Sequence, residues 1–347
     1  MMRLQVIHET RYSYRPPVDV AQHMACLQPR NTVCQELLSH LLEVEPAPAQ
    51  QTSARDVYGN TRTFLWLHAP HASLRVLASS VVQTRTLPMQ SSSVAWEPVR
   101  EMFRYRANGP YEPASEFVFS SHHIPQHADF LAYARPGFAP GVGLFDAALD
   151  LMHRIHRDFE YQSRSTQVNT PAHQALAQRK GVCQDFAHIM IACLRSLGLA
   201  ARYVSGYLLT EPAPGGTRLV GSDASHAWVS VWLPDLAPQG GWCDFDPTND
   251  RWGIGAPGED YVVVATGRDY SDVSPIRGVI HGGADHVLRV AVTVTELPHG
   301  QDGPDAPPAN GTMASGSRVQ SQSQSQSQSQ GTLAGQSPLV TENGMAA

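Results

Sequence analysis

The alternation of apolar and polar residues divides the chain into zones. From Arg3 to Arg85, the runs LQVIHETRYSY, TRTFLWLHA and SLRVLASSVVQT alternate every second residue, and a YGN turn precedes the second run. A period of two is typical of half-buried β-strands, so residues 1–85 are predicted to form a small β domain. Residues 86–143 are rich in Pro, Ser and Gly and are predicted to be a connector that carries short elements.

Helical spacing dominates the start of the next zone, residues 144–297. LFDAALDLMHRIHRDFEY places five apolar residues on one face of a helix, and GVCQDFAHIMIACLRSLG, residues 181–198, predicts a second amphipathic helix. After Pro298 the apolar pattern stops and the chain carries the repeat SQSQSQSQSQ. Such a composition cannot bury enough surface to offset the entropy of ordering, so residues 298–347 are predicted to be a disordered tail without a functional role.

Composition excludes several classes of protein. The 347 residues include 42% hydrophobic residues but no apolar run near the roughly 18 residues that a membrane span needs, so no membrane partner is expected. The 25 Lys and Arg residues are scattered and outnumbered by 31 Asp and Glu residues, so no nucleic-acid partner is expected either. The start, MMRLQVIHETRYSY, lacks the layout of a signal peptide, which predicts a cytoplasmic protein. Five widely spread cysteines do not resemble a disulfide framework, so reduced thiols are predicted.

Cys183 lies at the very start of the helix predicted for residues 181–198. The unpaired N–H groups and the positive dipole of a helix start stabilise a thiolate, and small Ala187 leaves room beneath the sulfur. Cys193, one stripe away, is interpreted as a core residue. Cys183, His188 and Cys193 resemble a ligand set, but positions five apart point about 140° apart around a helix, so zinc is not expected. No calcium-loop pattern occurs, and no cofactor is predicted.

Two later segments supply a base and a carboxylate. HAWVSVWL, which begins at His226, alternates as a strand, and WCDFDPTN reads as a second strand stopped by Pro247. If the two form a hairpin with Trp232 opposite Trp242, then Asp246 becomes the diagonal neighbour of His226. Asp244 would lie one pair farther away and is the alternative, because a slip of one residue reverses the facing of the whole strand.

Together, the segments GVCQDFAHIMIACLRSLG, HAWVSVWL and WCDFDPTN resemble the core of the bacterial transglutaminase-like superfamily, whose fold is similar to that of papain-type cysteine proteases. HETRYSY and DVYGN resemble the β domain that precedes this core in one bacterial branch, and GRDYSDVSPIRGV resembles the segment that follows it. The resemblance implies an α+β fold, with a papain-like cysteine-nucleophile core after a small β domain. It implies catalytic roles for Cys183, His226 and Asp246, in agreement with the hairpin argument.

A cysteine, a histidine and a carboxylate in this order are the parts of a thiol acyl-transfer site. The expected activity is formation of a Cys183 thioester with a peptide or glutamine carbonyl of a protein or peptide substrate. Water would resolve the thioester in a protease or deamidase, and an amine would resolve it in a transglutaminase; the resemblance favours hydrolysis. The alternatives are a catalytically silent binding scaffold and a small-amine acyltransferase. Tyr161 is a minor candidate for an oxyanion donor, and Asp185 and His188 are candidates for a local pair on the helix.

Overall fold

An antiparallel sheet forms the N-terminal part of the protein. The computed structural model describes residues 1–298 except 89–91, 108, 110, 163–169, 211–224, 237–239 and 284, so the predicted tail lies outside the described residues from residue 299 onward. The first strands are β1 (Met2–Ala25), β2 (Gln35–Glu45), β3 (Gln50–Arg55), β4 (Thr61–Leu67) and β5 (His71–Thr84), in the order β2-β5-β1-β4-β3. Every second residue of β1 from Leu4 to Tyr14 is buried, which confirms the alternation read from the sequence.

Short helices follow, in the segment predicted to be a connector. They are α1 (Trp96–Met102), a 3₁₀ segment (Pro113–Val118), α2 (Ala128–Ala134) and a 3₁₀ turn (Arg135–Gly137). Phe130 of α2 is completely buried and Trp96 of α1 nearly so, and both belong to the main hydrophobic core. These residues therefore pack into the core rather than merely spanning from one domain to the next.

The main core surrounds one helix. Its helices are α3 (Leu144–Asp158), α4 (Ala172–Gln178) and α5 (Cys183–Ser196), with the short parallel pair β6 (Glu160–Tyr161) and β7 (Lys180–Gly181). A second antiparallel sheet has the order β11-β10-β9-β8-β12; its strands are β8 (Ala201–Leu208), β9 (Ser225–Leu233), β10 (Gly241–Asp246), β11 (Arg251–Ile254) and β12 (Tyr261–Gly267). Helix α5 packs on β9 and β8, and its residues from Asp185 to Arg195 are all buried. Helix α5 is therefore the central element of this layer.

The chain returns to the first sheet after the second one. A turn of helix, α6 (Tyr270–Val273), leads to β13 (Ile276–Gly282) and β14 (Asp285–Glu296), and both strands pair with β1. The sequence predicts one unit for the core and the segment after it, residues 144–297; in the structure, β13 and β14 of this range complete the N-terminal sheet. The physical reason is the length of β1, whose 24 residues expose an edge of unpaired N–H and C=O groups that β13 and β14 cover.

One side chain joins the two sheets at a bulge. Strand β12 lies at the edge of the second sheet, and its pairing with β8 shifts register between Val263, which still pairs with Gly206, and Ala265. Beside this bulge, the N–H and the carbonyl of Val263 bond to the N-terminal sheet. Gln35 takes both groups: its Nε2 donates to the Val263 carbonyl at 2.8 Å, and its Oε1 accepts from the Val263 N–H at 2.8 Å. Strand β12 is thereby fixed against the N-terminal sheet. None of the helices within the described residues is both long and apolar enough to cross a membrane.

Candidate functional site

Helix α5 begins at Cys183, as the sequence predicts. Val182 is extended, and its N–H donates to Asp185 Oδ2 at 2.9 Å, which closes a turn around the first helical residues. Gly181 is required there, since a Cβ would lie 2.7 Å from the Asp185 side chain. The result is a fixed helix start with Cys183 at its first position and only 4% exposed. The N–H groups of the first helical turn lack partners within the helix.

The hairpin of β9 and β10 has the register predicted from the sequence. Trp242 lies opposite Trp232 and Asp244 opposite Ser230. His226, the second residue of β9, donates from Nε2 to Asp246 Oδ2 at 2.7 Å. Asp244 contacts other groups, accepting from Trp228 Nε1 at 2.9 Å and from the Ser230 hydroxyl. Of the two candidate carboxylates, Asp246 is the one that contacts His226.

His226 also forms a side-chain hydrogen bond with Cys183. The carboxylate occupies Nε2, which leaves Nδ1 as the ring nitrogen available to the thiol. The His226 side chain is 10% exposed and that of Asp246 is completely buried. The structure thus brings Cys183 from α5, His226 from β9 and Asp246 from β10 into one hydrogen-bonded chain.

Asp246 accepts hydrogen bonds on both carboxylate oxygens. Oδ2 accepts from Asn249 Nδ2 at 2.7 Å and from the Tyr261 hydroxyl at 2.8 Å, in addition to His226. Oδ1 accepts from the N–H of Thr248 at 2.9 Å and of Asn249 at 3.4 Å. The turn that follows Pro247 thus wraps the carboxylate. Neither Asn249 nor Tyr261 is among the site residues predicted from the sequence; Asn249 lies within the segment WCDFDPTN, whereas no local pattern marks Tyr261.

The charges of the pair reinforce each other. Burial alone would raise the pKa of the Asp246 carboxyl, but the His226 charge and the hydrogen bonds from His226, Asn249 and Tyr261 hold it below its ordinary value. Burial alone would lower the pKa of His226, but the charge and hydrogen bond of Asp246 and the contact with Cys183 raise it above its ordinary value. Imidazolium and carboxylate are therefore the favoured forms near neutral pH, as a thiolate–imidazolium site requires.

Two aromatic rings pack against the imidazole of His226. The His226 ring stacks on Trp228 with centroids 6.0 Å apart, and the Tyr261 ring lies 5.9 Å away. Gly206 of β8 pairs with His226, and a Cβ at this position would meet the Val262 carbonyl and lie 2.6 Å from the Trp228 ring. Glycine is thus required for the indole to lie where it does.

The other residues singled out from the sequence make contacts that support the fold. His188 Nε2 accepts from the Tyr270 N–H at 3.2 Å, and its ring stacks on His123, while Asp185 holds the helix start. Tyr161 is 43% exposed and places its ring edge-on to Phe186. All five cysteines are unpaired and buried. Burial raises the pKa of the Cys193 thiol to about 12, which fits its interpretation as a core residue. Within the described residues, no three His, Cys, Asp or Glu side chains are arranged to hold a metal ion.

Sequence comparisons identify both parts of the chain. The model of the transglutaminase-like superfamily core matches residues 136–247, which contain Cys183, His226 and Asp246. The model of the bacterial transglutaminase-like N-terminal region matches residues 4–83. The chain belongs to the transglutaminase-like superfamily.

Two relatives match the chain over very different lengths. An uncharacterized protein of Mycobacterium tuberculosis is 40% identical over 299 residues, which are 84% of this chain and 92% of the relative. A protein-glutamine gamma-glutamyltransferase of Pseudomonas aeruginosa is 41% identical over a shorter stretch of 71 residues, 20% of this chain and 10% of the relative.

A solved structure has the same transglutaminase-like fold. The crystal structure of a candidate cysteine protease from Cytophaga hutchinsonii aligns with a TM-score of 0.64 and 21% identity, covering 86% of this chain and 91% of that one. The expected fold class is thereby confirmed, from the N-terminal β domain to the papain-like core.

Proposed function

We propose that this protein is a thiol acyl-transfer enzyme that cleaves an amide or peptide bond of a protein or peptide through a Cys183 thioester. The observation that carries the proposal is the hydrogen-bonded chain from Cys183 through His226 to Asp246, with the imidazole held between a thiol and a buried carboxylate. Nucleophile, base and orienting group are the three components that this chemistry requires. Membership of the transglutaminase-like superfamily supports the same reading.

In the proposed reaction, the Cys183 thiolate attacks the carbonyl carbon and forms a C–S bond, while the oxyanion is received by N–H groups at the start of α5. The C–N bond then breaks, and His226 gives its proton to the leaving amine or ammonia. In the second half, His226 takes a proton from the incoming water, whose oxygen attacks the thioester. The C–S bond breaks, which restores the thiolate and the imidazolium. Asp246 keeps the imidazole oriented throughout and stabilises its protonated form.

An amine is the second candidate for the acceptor that resolves the thioester. The match to the gamma-glutamyltransferase of Pseudomonas aeruginosa favours it, since that name describes transfer of a glutamyl group. Both reactions share the thioester and the same three residues. They differ in the acceptor alone, so one assay with two readouts separates them.

The first test is alkylation of the purified protein with iodoacetamide from about pH 4 to about pH 9, with the adduct located by mass spectrometry. We expect fast labelling at Cys183 well below the range in which ordinary thiols ionise, slower labelling in His226→Ala, and none at position 183 in Cys183→Ala. Cys193 and Cys243 serve as internal controls because burial raises the pKa of both thiols. Labelling at Cys183 with the pH profile of an ordinary thiol would overturn the proposal and favour a binding scaffold.

The second test identifies the acceptor. A glutamine-containing protein is incubated with the enzyme in the presence of a fluorescent primary amine, and the products are analysed for incorporated amine, for amide hydrolysis and for cleaved peptide bonds. Cys183→Ala must abolish any product. Incorporation of the amine would assign transfer, its absence together with hydrolysis would assign water, and turnover of small aromatic amines alone would assign the small-amine acyltransferase.

A further inference from the structure

Tyr261 contacts the candidate site from β12, an edge strand of the second sheet. It is the first residue of β12, at the opposite end of the strand order from β10 and β11, and it is completely buried. Its hydroxyl nevertheless donates to Asp246 Oδ2 at 2.8 Å, the same oxygen that accepts from His226. Two strands, β9 and β8, separate β12 from β10 in the strand order, yet the Tyr261 hydroxyl and the Asp246 carboxylate are in contact.

The packing fixes the Tyr261 ring on two sides. The ring meets Trp228 edge-on, with centroids 5.4 Å apart and planes at 84°, and the Arg251 guanidinium carbon lies 4.8 Å from its centroid. Arg251 is itself held by two hydrogen bonds to Asp260, at 2.5 and 2.7 Å. Tyr261 can therefore turn only its hydroxyl proton, and Asp246 is the acceptor in reach.

Asn249 holds the same oxygen from the solvent side. Its Nδ2 lies 2.7 Å from Asp246 Oδ2 and 3.2 Å from His226 Nε2, on the exposed turn after β10. Oδ2 thus accepts from three side chains that come from three different segments. A buried carboxylate is stabilised as an anion by such donors, and each donor that is removed makes the anion less favourable.

We propose that Tyr261 and Asn249 are positioning residues that hold Asp246 in place as the anionic partner of His226. The inference rests on the proposed function, because it concerns the charge state of the same site. Tyr261 acts through the carboxylate, and Asn249 acts through the same carboxylate while its Nδ2 also lies near His226 Nε2. Among the described residues, the charged and titratable groups that interact with the pair include Cys183 from α5, Arg251 from β11 and Tyr261 itself.

The test compares Tyr261→Phe with Tyr207→Phe. Tyr207→Phe is the matched control: Tyr207 is also buried, its hydroxyl hydrogen-bonds to His8 Nδ1 at 2.9 Å, and it lies on β8. Both variants keep the ring and lose one hydroxyl. Asn249→Ala is the second variant; it changes an exposed residue, so it tests the inference even where Tyr261→Phe does not fold.

The measured quantity is the rate of Cys183 alkylation by iodoacetamide across pH, with thermal unfolding recorded for each variant. On the acid side, we expect the wild-type plateau due to the thiolate–imidazolium pair to end where Asp246 takes up a proton and no longer stabilises the imidazolium. Loss of one donor makes the Asp246 anion less favourable, so we expect Tyr261→Phe and Asn249→Ala to move this acid-side end to higher pH by about half a pH unit or more, and Tyr207→Phe to leave it in place. A stability loss without this movement would overturn the inference. An absent plateau in the wild type would instead contradict the proposed function itself.

Discussion

Replacement of Asp246 by Asn tests the site most directly, because it keeps the shape of the side chain and removes its charge. The amide oxygen can take the place of Oδ1 and still accept from the N–H groups of Thr248 and Asn249. The amide nitrogen then replaces Oδ2 and faces the three donors from His226, Asn249 and Tyr261. The Tyr261 hydroxyl can turn its proton away from the new amide nitrogen. The Asn249 Nδ2 group would still place its donor against that nitrogen, which is also a donor.

The imidazole must also change its tautomer. In the variant, Nε2 of His226 must accept from the new amide, so its proton moves to Nδ1, which faces Cys183. An imidazole in that form cannot take the thiol proton, and the same exchange in a serine triad costs roughly 10⁴-fold in kcat. The smallest expected loss of alkylation rate follows from ionisation of the thiol, because an unassisted thiol is ionised to only about one part in 300 at about pH 6. We therefore expect labelling of Cys183 near that pH to fall by about 100-fold or more.

The matched control is Asp244→Asn, which makes the same chemical change at a neighbouring buried carboxylate that contacts Trp228 and Ser230. It can lower stability, but it leaves the pH profile of Cys183 unchanged. The pKa of Asp246 lies below its ordinary value, so its stabilising effect is present above the ordinary range and is lost as pH falls through the lowered value. The difference in melting temperature between wild type and Asp246→Asn should therefore shrink in acid. Wild-type labelling by the folded variant would refute the role of Asp246.

Three further expectations concern pH and stability. Because the pKa of His226 is raised, the imidazolium persists above neutral pH and is lost only as pH rises through the raised value; an alkylation plateau that ends below about pH 7 would contradict this. Gly206→Ala forces a methyl group against the Val262 carbonyl and should cost about 2 kcal/mol of unfolding free energy in a denaturant titration, whereas Gly143→Ala, whose added Cβ approaches only the tip of a flexible side chain, should be nearly neutral. Arg195→Met removes five hydrogen bonds, three of them to the carbonyls of Ala201 and Arg268, and should lower the free energy of unfolding in a denaturant titration by about 3 kcal/mol. Exposed Arg157→Met is the control, and a loss below about 1 kcal/mol in Arg195→Met would contradict the argument that these bonds stabilise the core.

Local patterns determined much of this protein. The periods of two and of 3.6 residues predicted β1, β4 and β5 and helices α3 and α5, because burial of one face imposes its period on the sequence. The position of Cys183 at the start of α5 follows from the same helical stripe. The hairpin register was also within reach, since residues on β9 and β10 are close in sequence and share one alternation.

Contacts between distant segments were decided only by the tertiary structure. The pairing of β13 and β14 with β1 joins residues more than 250 positions apart, and periodicity within a strand does not name its partner. The hydrogen bond from Tyr261 to Asp246 depends on where β12 lies in the second sheet, and no local sequence pattern predicts it. The sequence contains the nucleophile, the base and the carboxylate as local motifs. Their assembly, and the groups that keep the carboxylate charged, depend on long-range packing, which brings together side chains that share no period.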